Sequence, residues 1–112
     1  MAMGIQEAFV TCMKKYATFS GRATRSEYWW FALCEILILG VASMLSDNLT
    51  GLVALALLLP AVAVGARRLH DIGRSGWWLL VALVPFVGGL VVLYWTVLPS
   101  QPGANAFGEP AA

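Results

Sequence analysis

The chain has 112 residues, of which 60% are hydrophobic and 12% are charged, and its formal net charge is +1. Soluble domains carry charge on about 25% of their residues, and a domain of this size buries only a modest fraction of its surface on folding. The composition excludes a water-soluble fold and predicts one all-α membrane domain over residues 1–112.

The first element is an amphipathic helix predicted over residues 4–17. Its apolar residues recur at the spacing of one helical face: Ile5, Ala8, Phe9, Cys12, Met13 and Tyr16. The segment is too short and too polar to cross a bilayer. Two placements are open: a helix lying in the cytoplasmic membrane interface, and a helix docked on its own bundle.

Three apolar runs follow, and each predicts a transmembrane helix: 28–46, 49–67 and 76–98. A helix rises about 1.5 Å per residue, so a hydrocarbon core of about 30 Å takes roughly 20 residues. Pro60 and Pro85 are expected to kink the second and third spans, and the pair Gly88-Gly89 to let a backbone come near. No signal peptide is expected, because the first apolar run begins far from Met1.

Residues 99–112 are rich in Pro, Gly and Ala, and we expect an extracytoplasmic tail. In this tail Gly103, Asn105 and Gly108 suit a tight turn that returns Phe107 to the outer membrane interface or the bundle. The tail and the loop between the first two spans carry no Lys or Arg. All seven positive residues lie on the other side of a three-span arrangement: Lys14, Lys15, Arg22, Arg25, Arg67, Arg68 and Arg74. Cytoplasmic loops are enriched in Lys and Arg, so the N-terminus is predicted to be cytoplasmic and the C-terminus periplasmic or extracellular.

Three stretches of this sequence carry a family resemblance: FSGRATRSEYWWF, LPAVAVGARRLHDIGRSGWWLLVALVPFVG and PGANAFGEP. They occur in order over residues 19–110 and resemble the bacterial domain-of-unknown-function family 805, the small Yha-type inner-membrane proteins. The resemblance implies a multi-pass protein of the bacterial inner membrane with a tail that folds back in a defined way. It implies no biochemical activity.

The stretch RRLHDIGRSGWW, residues 67–78, joins the second and third apolar runs. Arginines at the end of a helix complement its dipole and its free carbonyls. Gly73 allows the chain to reverse, Ser75 suits the cap of the next helix, and Asp71 can pair with the nearby arginines. One interpretation is therefore a joint that sets topology and packing.

The second interpretation is a site for a phosphate-bearing ligand. Arg suits bidentate contact with phosphate, and a helix N-terminus attracts anions. The candidate residues for an anionic lipid headgroup are Arg22, Arg25, Arg67, Arg68, His70, Asp71 and Arg74. Membrane lipids, anionic phospholipid among them, are the expected partners, together with a homo-oligomer or a larger membrane partner. Nucleic acid is not expected.

Catalysis has little support in the residue pattern. His70 is the one histidine, so a multi-His metal site within a subunit is impossible, and adjacent residues such as His70 and Asp71 generally point apart. Cys12 and Cys34 are predicted to be buried thiols without metal-binding spacing. We predict no catalytic residue, metal or cofactor, and a non-enzymatic structural or interaction protein. The alternatives are a subunit of an oligomeric transporter or channel and a small lipid-modifying enzyme.

Glu35 is the ionisable residue predicted to lie inside a span. It follows Trp29 by six positions and so lies roughly 9 Å deeper. An ionised carboxylate there costs about 2–3 kcal/mol unless it is paired or protonated. We expect an inward hydrogen bond or ion pair with Arg67 or Arg68, with a proton relay as the alternative.

Overall fold

The computed structural model describes residues 4–110, which are helical apart from short connections and the tail. The helices are α1 (Ile5–Lys14), α2 (Arg25–Leu45), α3 (Asp47–Asp71), a 3₁₀ helix (Gly76–Leu83) and α4 (Val87–Val97). Within the described residues the β-type pairing is one isolated bridge between Asn105 and Gly108. The predicted all-α class is confirmed.

Helices α2 and α3 form a long antiparallel pair. The side chain of Thr24 caps α2 by accepting from the Glu27 N–H at 3.2 Å, and Ser46 caps α3 by accepting from the Leu49 N–H at 3.2 Å. With 21 and 25 residues, both are long and apolar enough to cross a membrane by length and composition. Helix α2 covers the predicted span 28–46 except for its last residue, and α3 contains the span 49–67 and continues to Asp71.

The third predicted span, 76–98, is wrong as a continuous helix. Its first part is the 3₁₀ helix and its second part is α4, separated by a turn. Pro85 has no N–H to continue a helical ladder. Phe86 adopts φ 63° and ψ −61°, and the Val87 N–H donates to the Pro85 carbonyl at 2.7 Å, which is a γ-turn.

The two halves of this segment pack against each other as a hairpin. The rings of Trp78 and Trp95, near its two ends, have centroids 6.0 Å apart. A Cβ at Gly88 would lie 1.8 Å from the carbonyl oxygen of Val81, so the close backbone approach predicted for the glycine pair occurs at Gly88; nothing lies within 4 Å at Gly89. The arms, of 8 and 11 residues, each reach about 16 Å, half of a hydrocarbon core.

The hairpin returns the chain to the end of the bundle that bears the arginines. The Gln101 N–H donates to the Asp71 carbonyl at 2.9 Å, and Asn105 and Gly108 exchange backbone hydrogen bonds of 3.0 and 3.1 Å. The predicted tight turn is present. The expectation that the tail lies on the opposite side from the arginines is wrong, because the segment before it does not cross the bundle.

Helix α1 docks on its own bundle, one of the two placements left open. Cys12 is buried against Phe31, and the ring of Phe9 stacks on Phe31 with centroids 6.0 Å apart. The buried core at this contact consists of Cys12 from α1 together with Ala23, Phe31, Leu57 and Val64. Whether α1 also touches a membrane interface stays a prediction.

Candidate functional site

Three arginine side chains are buried at one end of the bundle. Arg22 lies just before α2, and Arg67 and Arg68 lie in the last turns of α3; each side chain is 0% exposed. A buried guanidinium is stable only where a carboxylate or several acceptors surround it. Their partners therefore decide whether these arginines can bind a ligand.

Asp71, the last residue of α3, bridges two of the arginines. Its Oδ1 accepts from Nε of Arg22 at 2.8 Å, and its Oδ2 accepts from Arg68 at 2.5 Å. The hydroxyl of Ser100, in the tail, donates to the same Oδ2. The pairing of Asp71 with nearby arginines follows the sequence-based expectation, and it attaches the tail to α3.

Glu27, in the first turn of α2, is the partner of Arg67. Nε of Arg67 also donates to the Thr18 carbonyl at 3.2 Å, and the Cys12 thiol lies 3.8 Å from the same Glu27 carboxylate. Burial, and then the nearby negative charge of Glu27, raise the pKa of the Cys12 thiol to about 12. Cys12 is therefore a neutral buried thiol, as predicted, whereas Cys34 in α2 is only partly buried.

Backbone carbonyls supply most of the other acceptors. Arg22 donates to Gln101 and Gly103 of the tail at 2.6 and 2.7 Å. Arg68 donates to the carbonyls of Ala23 at 3.0 Å and Thr96 at 3.2 Å, and also to that of Leu98. We call the three arginines, Glu27 and Asp71 the arginine network.

The network contains three cations and two carboxylates, and the end of α4 helps to balance the excess positive charge. The last carbonyls of a helix have no intrahelical partner and carry a partial negative charge. The Thr96 carbonyl accepts from Arg68 and from the Trp29 indole at 3.1 Å. One nitrogen, the NH2 of Arg67, has no hydrogen-bond partner within the described part of the chain.

Arg25 and Arg74 flank the network and are exposed. Arg25 donates to the Val97 carbonyl at 3.3 Å, and the Arg74 guanidinium lies 4.6 Å from the ring centroid of Trp95. These contacts leave most of their hydrogen-bond donors facing outward. Of the seven predicted site residues, four join the buried network (Arg22, Arg67, Arg68 and Asp71) and the other three lie at its edge.

His70 lies beside the network and has different partners. Its Nδ1 is 2.8 Å from the Gly21 carbonyl, and its ring stacks on Phe107 with centroids 4.1 Å apart and planes 1° apart. The Asp71 carboxylate faces the arginines, so these adjacent residues do not form a dyad. Within residues 4–110, no three metal-binding side chains come together.

The expected pairing of Glu35 with Arg67 or Arg68 is wrong. Those arginines pair with Glu27 and Asp71. Glu35 follows Glu27 by eight positions and so lies about 12 Å further along α2, too deep to reach them. It is half-buried and lines a cavity of about 40 Å³ beside Tyr28.

The fold and the site define a class of protein: a small all-helical chain with two helices apolar enough to span a membrane and a buried arginine network at one end. The chain belongs to the family described as "Protein of unknown function (DUF805)", which matches residues 16–109. The predicted family membership is confirmed.

Two relatives support the same assignment. The chain is 37% identical over 111 residues to inner membrane protein YhaH of Escherichia coli K12, covering 89% of this chain and 92% of that protein. It is also 37% identical over 108 residues to inner membrane protein YhaI of the same strain, covering 90% and 92%. No solved structure matches the chain.

Proposed function

We propose that this chain is a non-enzymatic protein of the bacterial inner membrane, in which α2 and α3 span the bilayer. The names of its relatives support the location. The outward surface supports it as well, since Met44, Leu83 and Phe86 are 85%, 80% and 91% exposed. Apolar side chains exposed together in this way are stable in lipid and costly in water.

The observation that carries the proposal is the burial of the arginine network with its own acceptors. Arg22, Arg67 and Arg68 are 3%, 0% and 0% exposed. Apart from the NH2 nitrogen of Arg67, the nitrogens of their guanidinium groups donate to this chain's own carboxylates and carbonyls. Removing one partner of such a buried pair typically costs about 3–5 kcal/mol. The role proposed for the network is therefore to hold α2, α3, the hairpin and the tail in one arrangement.

The network and the positive-inside rule together suggest a topology. Positive residues favour the cytoplasmic side, and the tail is bonded to the same end of the bundle as Arg22 and Asp71. Both termini are then cytoplasmic, and the hairpin enters the bilayer from the cytoplasmic face and returns. This arrangement replaces the external C-terminus of a three-span protein.

Fusions at two positions test this topology. A fluorescent protein that matures only in the cytoplasm, fused at the C-terminus, should fluoresce, and alkaline phosphatase, active only outside it, should be inactive there. A matched phosphatase fusion after Ser46, in the α2–α3 loop, should be active. Phosphatase activity at the C-terminus would restore the three-span arrangement and contradict the proposal.

Anionic lipid binding is proposed for the exposed arginines and not for the buried ones. Arg25 and Arg74 keep free donors at the end of the bundle, and Lys14 and Lys15 are exposed on α1. A basic residue at an anionic membrane surface contributes about 1 kcal/mol. Anionic phospholipid headgroups are the ligands proposed for this surface.

Native mass spectrometry from mild detergent tests the lipid contact. Arg25→Ala with Arg74→Ala should lose retained anionic phospholipid, whereas Arg25→Lys with Arg74→Lys should keep it, because the lysines preserve the charge. An unchanged lipid profile in the alanine variant would overturn the contact. The same spectra count subunits, which tests the predicted homo-oligomer.

A further inference from the structure

A cavity of about 470 Å³ lies between α3, the 3₁₀ helix and the segment before α2. Its walls are almost entirely apolar and include Val62 and Ala66 of α3 and Trp77 and Leu80 of the 3₁₀ helix. Small-molecule sites typically have volumes of about 300–1,000 Å³. The cavity is large enough for a ligand and is separate from the exposed arginines.

His70 places one polar atom in this wall. Its Nδ1 faces the Gly21 carbonyl at 2.8 Å and therefore donates, which makes Nε2 an acceptor in the neutral ring. Nε2 makes no hydrogen bond within residues 4–110, and a Cβ at Gly76, also in the wall, would lie 3.5 Å from it. His70 is 9% exposed and lines the cavity, which places this acceptor in the cavity wall.

The position of the ring is fixed on two sides. Phe107 stacks on it, with centroids 4.1 Å apart, and the Gly21 carbonyl holds Nδ1. An acceptor that is held in place in an apolar wall, with no hydrogen-bond partner among the described residues, can accept from a ligand that donates a hydrogen bond. A carboxylate or phosphate oxygen would instead meet a lone pair.

The shape of the cavity indicates the rest of the ligand. Val62 precedes His70 by eight positions on α3, so the apolar wall extends about 12 Å from the arginine end into the bundle. Trp77, 80% exposed, lies at its mouth. A site with one polar end and one long apolar wall fits an amphiphile with a single alkyl chain.

We propose that this cavity binds a single-chain amphiphile with a hydroxyl head, taken from the surrounding bilayer. The hydroxyl donates to Nε2 of His70, and the alkyl chain lies along α3 towards Val62. The site rests on the membrane placement proposed above. A chain absent from the membrane fraction would overturn that placement, whereas an inserted chain that fails the tests below overturns only this site.

The first experiment compares two ligands on the unmodified protein in lipid nanodiscs. A 1-dodecanol analogue with a mid-chain diazirine is photocrosslinked, and the labelled peptides are mapped by mass spectrometry. Labels should fall on α3 near Val62 and on the 3₁₀ helix. Unlabelled 1-dodecanol should compete about fivefold better than dodecyl methyl ether, at equal mole fraction in the bilayer, because only the alcohol donates a hydrogen bond. Equal competition would overturn the role of His70.

Three variants then separate the wall from the histidine. Leu80→Trp fills the cavity and should reduce labelling at least tenfold, while Leu83→Trp, at an 80% exposed position outside the cavity wall, should leave it unchanged. His70→Asn keeps an amide donor for the Gly21 carbonyl and places nothing at Nε2, so labelling should persist without preference for the alcohol. Equal labelling of the two tryptophan variants, or a preference retained in His70→Asn, would contradict the site.

Discussion

Pro60 leaves one carbonyl of α3 without its helical hydrogen-bond donor, and the Tyr16 hydroxyl donates to that carbonyl instead. Because proline has no N–H, the Ala56 carbonyl, four residues earlier, loses its hydrogen bond within the helix. The Tyr16 hydroxyl donates to that carbonyl. An unsatisfied backbone group in hydrocarbon costs several kcal/mol. Tyr16 and Pro60 therefore act as a pair that attaches the end of the N-terminal segment to the middle of α3.

The Tyr16–Pro60 pair predicts a non-additive double mutant. Tyr16→Phe should lower the free energy of unfolding, measured by SDS titration in mixed micelles, by about 1–3 kcal/mol, since it leaves the Ala56 carbonyl unpaired. Pro60→Ala restores an N–H at that position, so Tyr16→Phe should cost almost nothing in the Pro60→Ala background. An equal loss in the free energy of unfolding in both backgrounds would show that the Tyr16 hydroxyl does not form a stabilising hydrogen bond with this carbonyl.

The sequence alone identified the arginines and Asp71 as site residues but did not identify Glu27. Asp71 lies three residues from Arg68, so their pairing follows from local helical spacing. Glu27 lies 40 positions from Arg67, and their contact depends on how α2 and α3 align as an antiparallel pair. No local sequence pattern encodes that alignment. The sequence-based prediction therefore paired the arginines with Glu35, which lies deeper in α2.

The hairpin of residues 76–98 is the element that hydropathy describes incorrectly. Its apolar run is long enough for a span, and Pro85 is compatible with a kinked helix or with a turn. The contact between Trp78 and Trp95 and the position of Arg74 over Trp95 show that the chain turns at this point and does not continue as a kinked helix. These contacts join residues that are far apart in the sequence, so local hydropathy cannot detect them.

Adjacent glycines in the hairpin provide a matched pair of variants. Gly88→Ala places a methyl group against the Val81 backbone, whereas Gly89→Ala meets nothing within 4 Å. Gly88→Ala should lower the free energy of unfolding by about 1–3 kcal/mol or more and separate the arms. Gly89→Ala should have little effect. SDS titration checks both variants, and tryptophan fluorescence, to which Trp78 and Trp95 contribute, follows the separation of the arms. Equal effects of the two substitutions would contradict the hairpin packing.

In the whole molecule, the tail covers Arg22 and Asp71 of the arginine network. The carbonyls of Gln101 and Gly103 accept hydrogen bonds from Arg22, and the Ser100 hydroxyl donates to Asp71. The network thus joins Arg22, which precedes α2, to the tail, and the terminal nitrogens of Arg22 are closed to lipid as long as the tail is in place. The family resemblance, together with its Gly and Asn residues, predicted that the tail folds back. The sequence did not predict the end of the bundle on which the tail docks, and this became clear only from the structure.

Truncation after Leu98 should therefore open the network to anionic lipid. The terminal nitrogens of Arg22 lose the Gln101 and Gly103 carbonyls, while its Nε keeps the bond to Asp71. A single arginine exposed at an anionic surface contributes about 1 kcal/mol, or roughly fivefold in affinity. The truncated chain should retain correspondingly more anionic phospholipid than the full chain in native mass spectra.

Substitution of Arg22 provides the control for this effect. Arg22→Gln in the truncated chain should return lipid retention to the level of the full chain, because the newly exposed cation is gone. Arg22→Gln in the full chain should not change lipid retention, because the tail already closes this side chain off, 3% exposed. Lipid retention that is the same with and without the tail would mean that Arg22 stays closed by other contacts, and that the tail is not what separates the arginine network from the membrane surface.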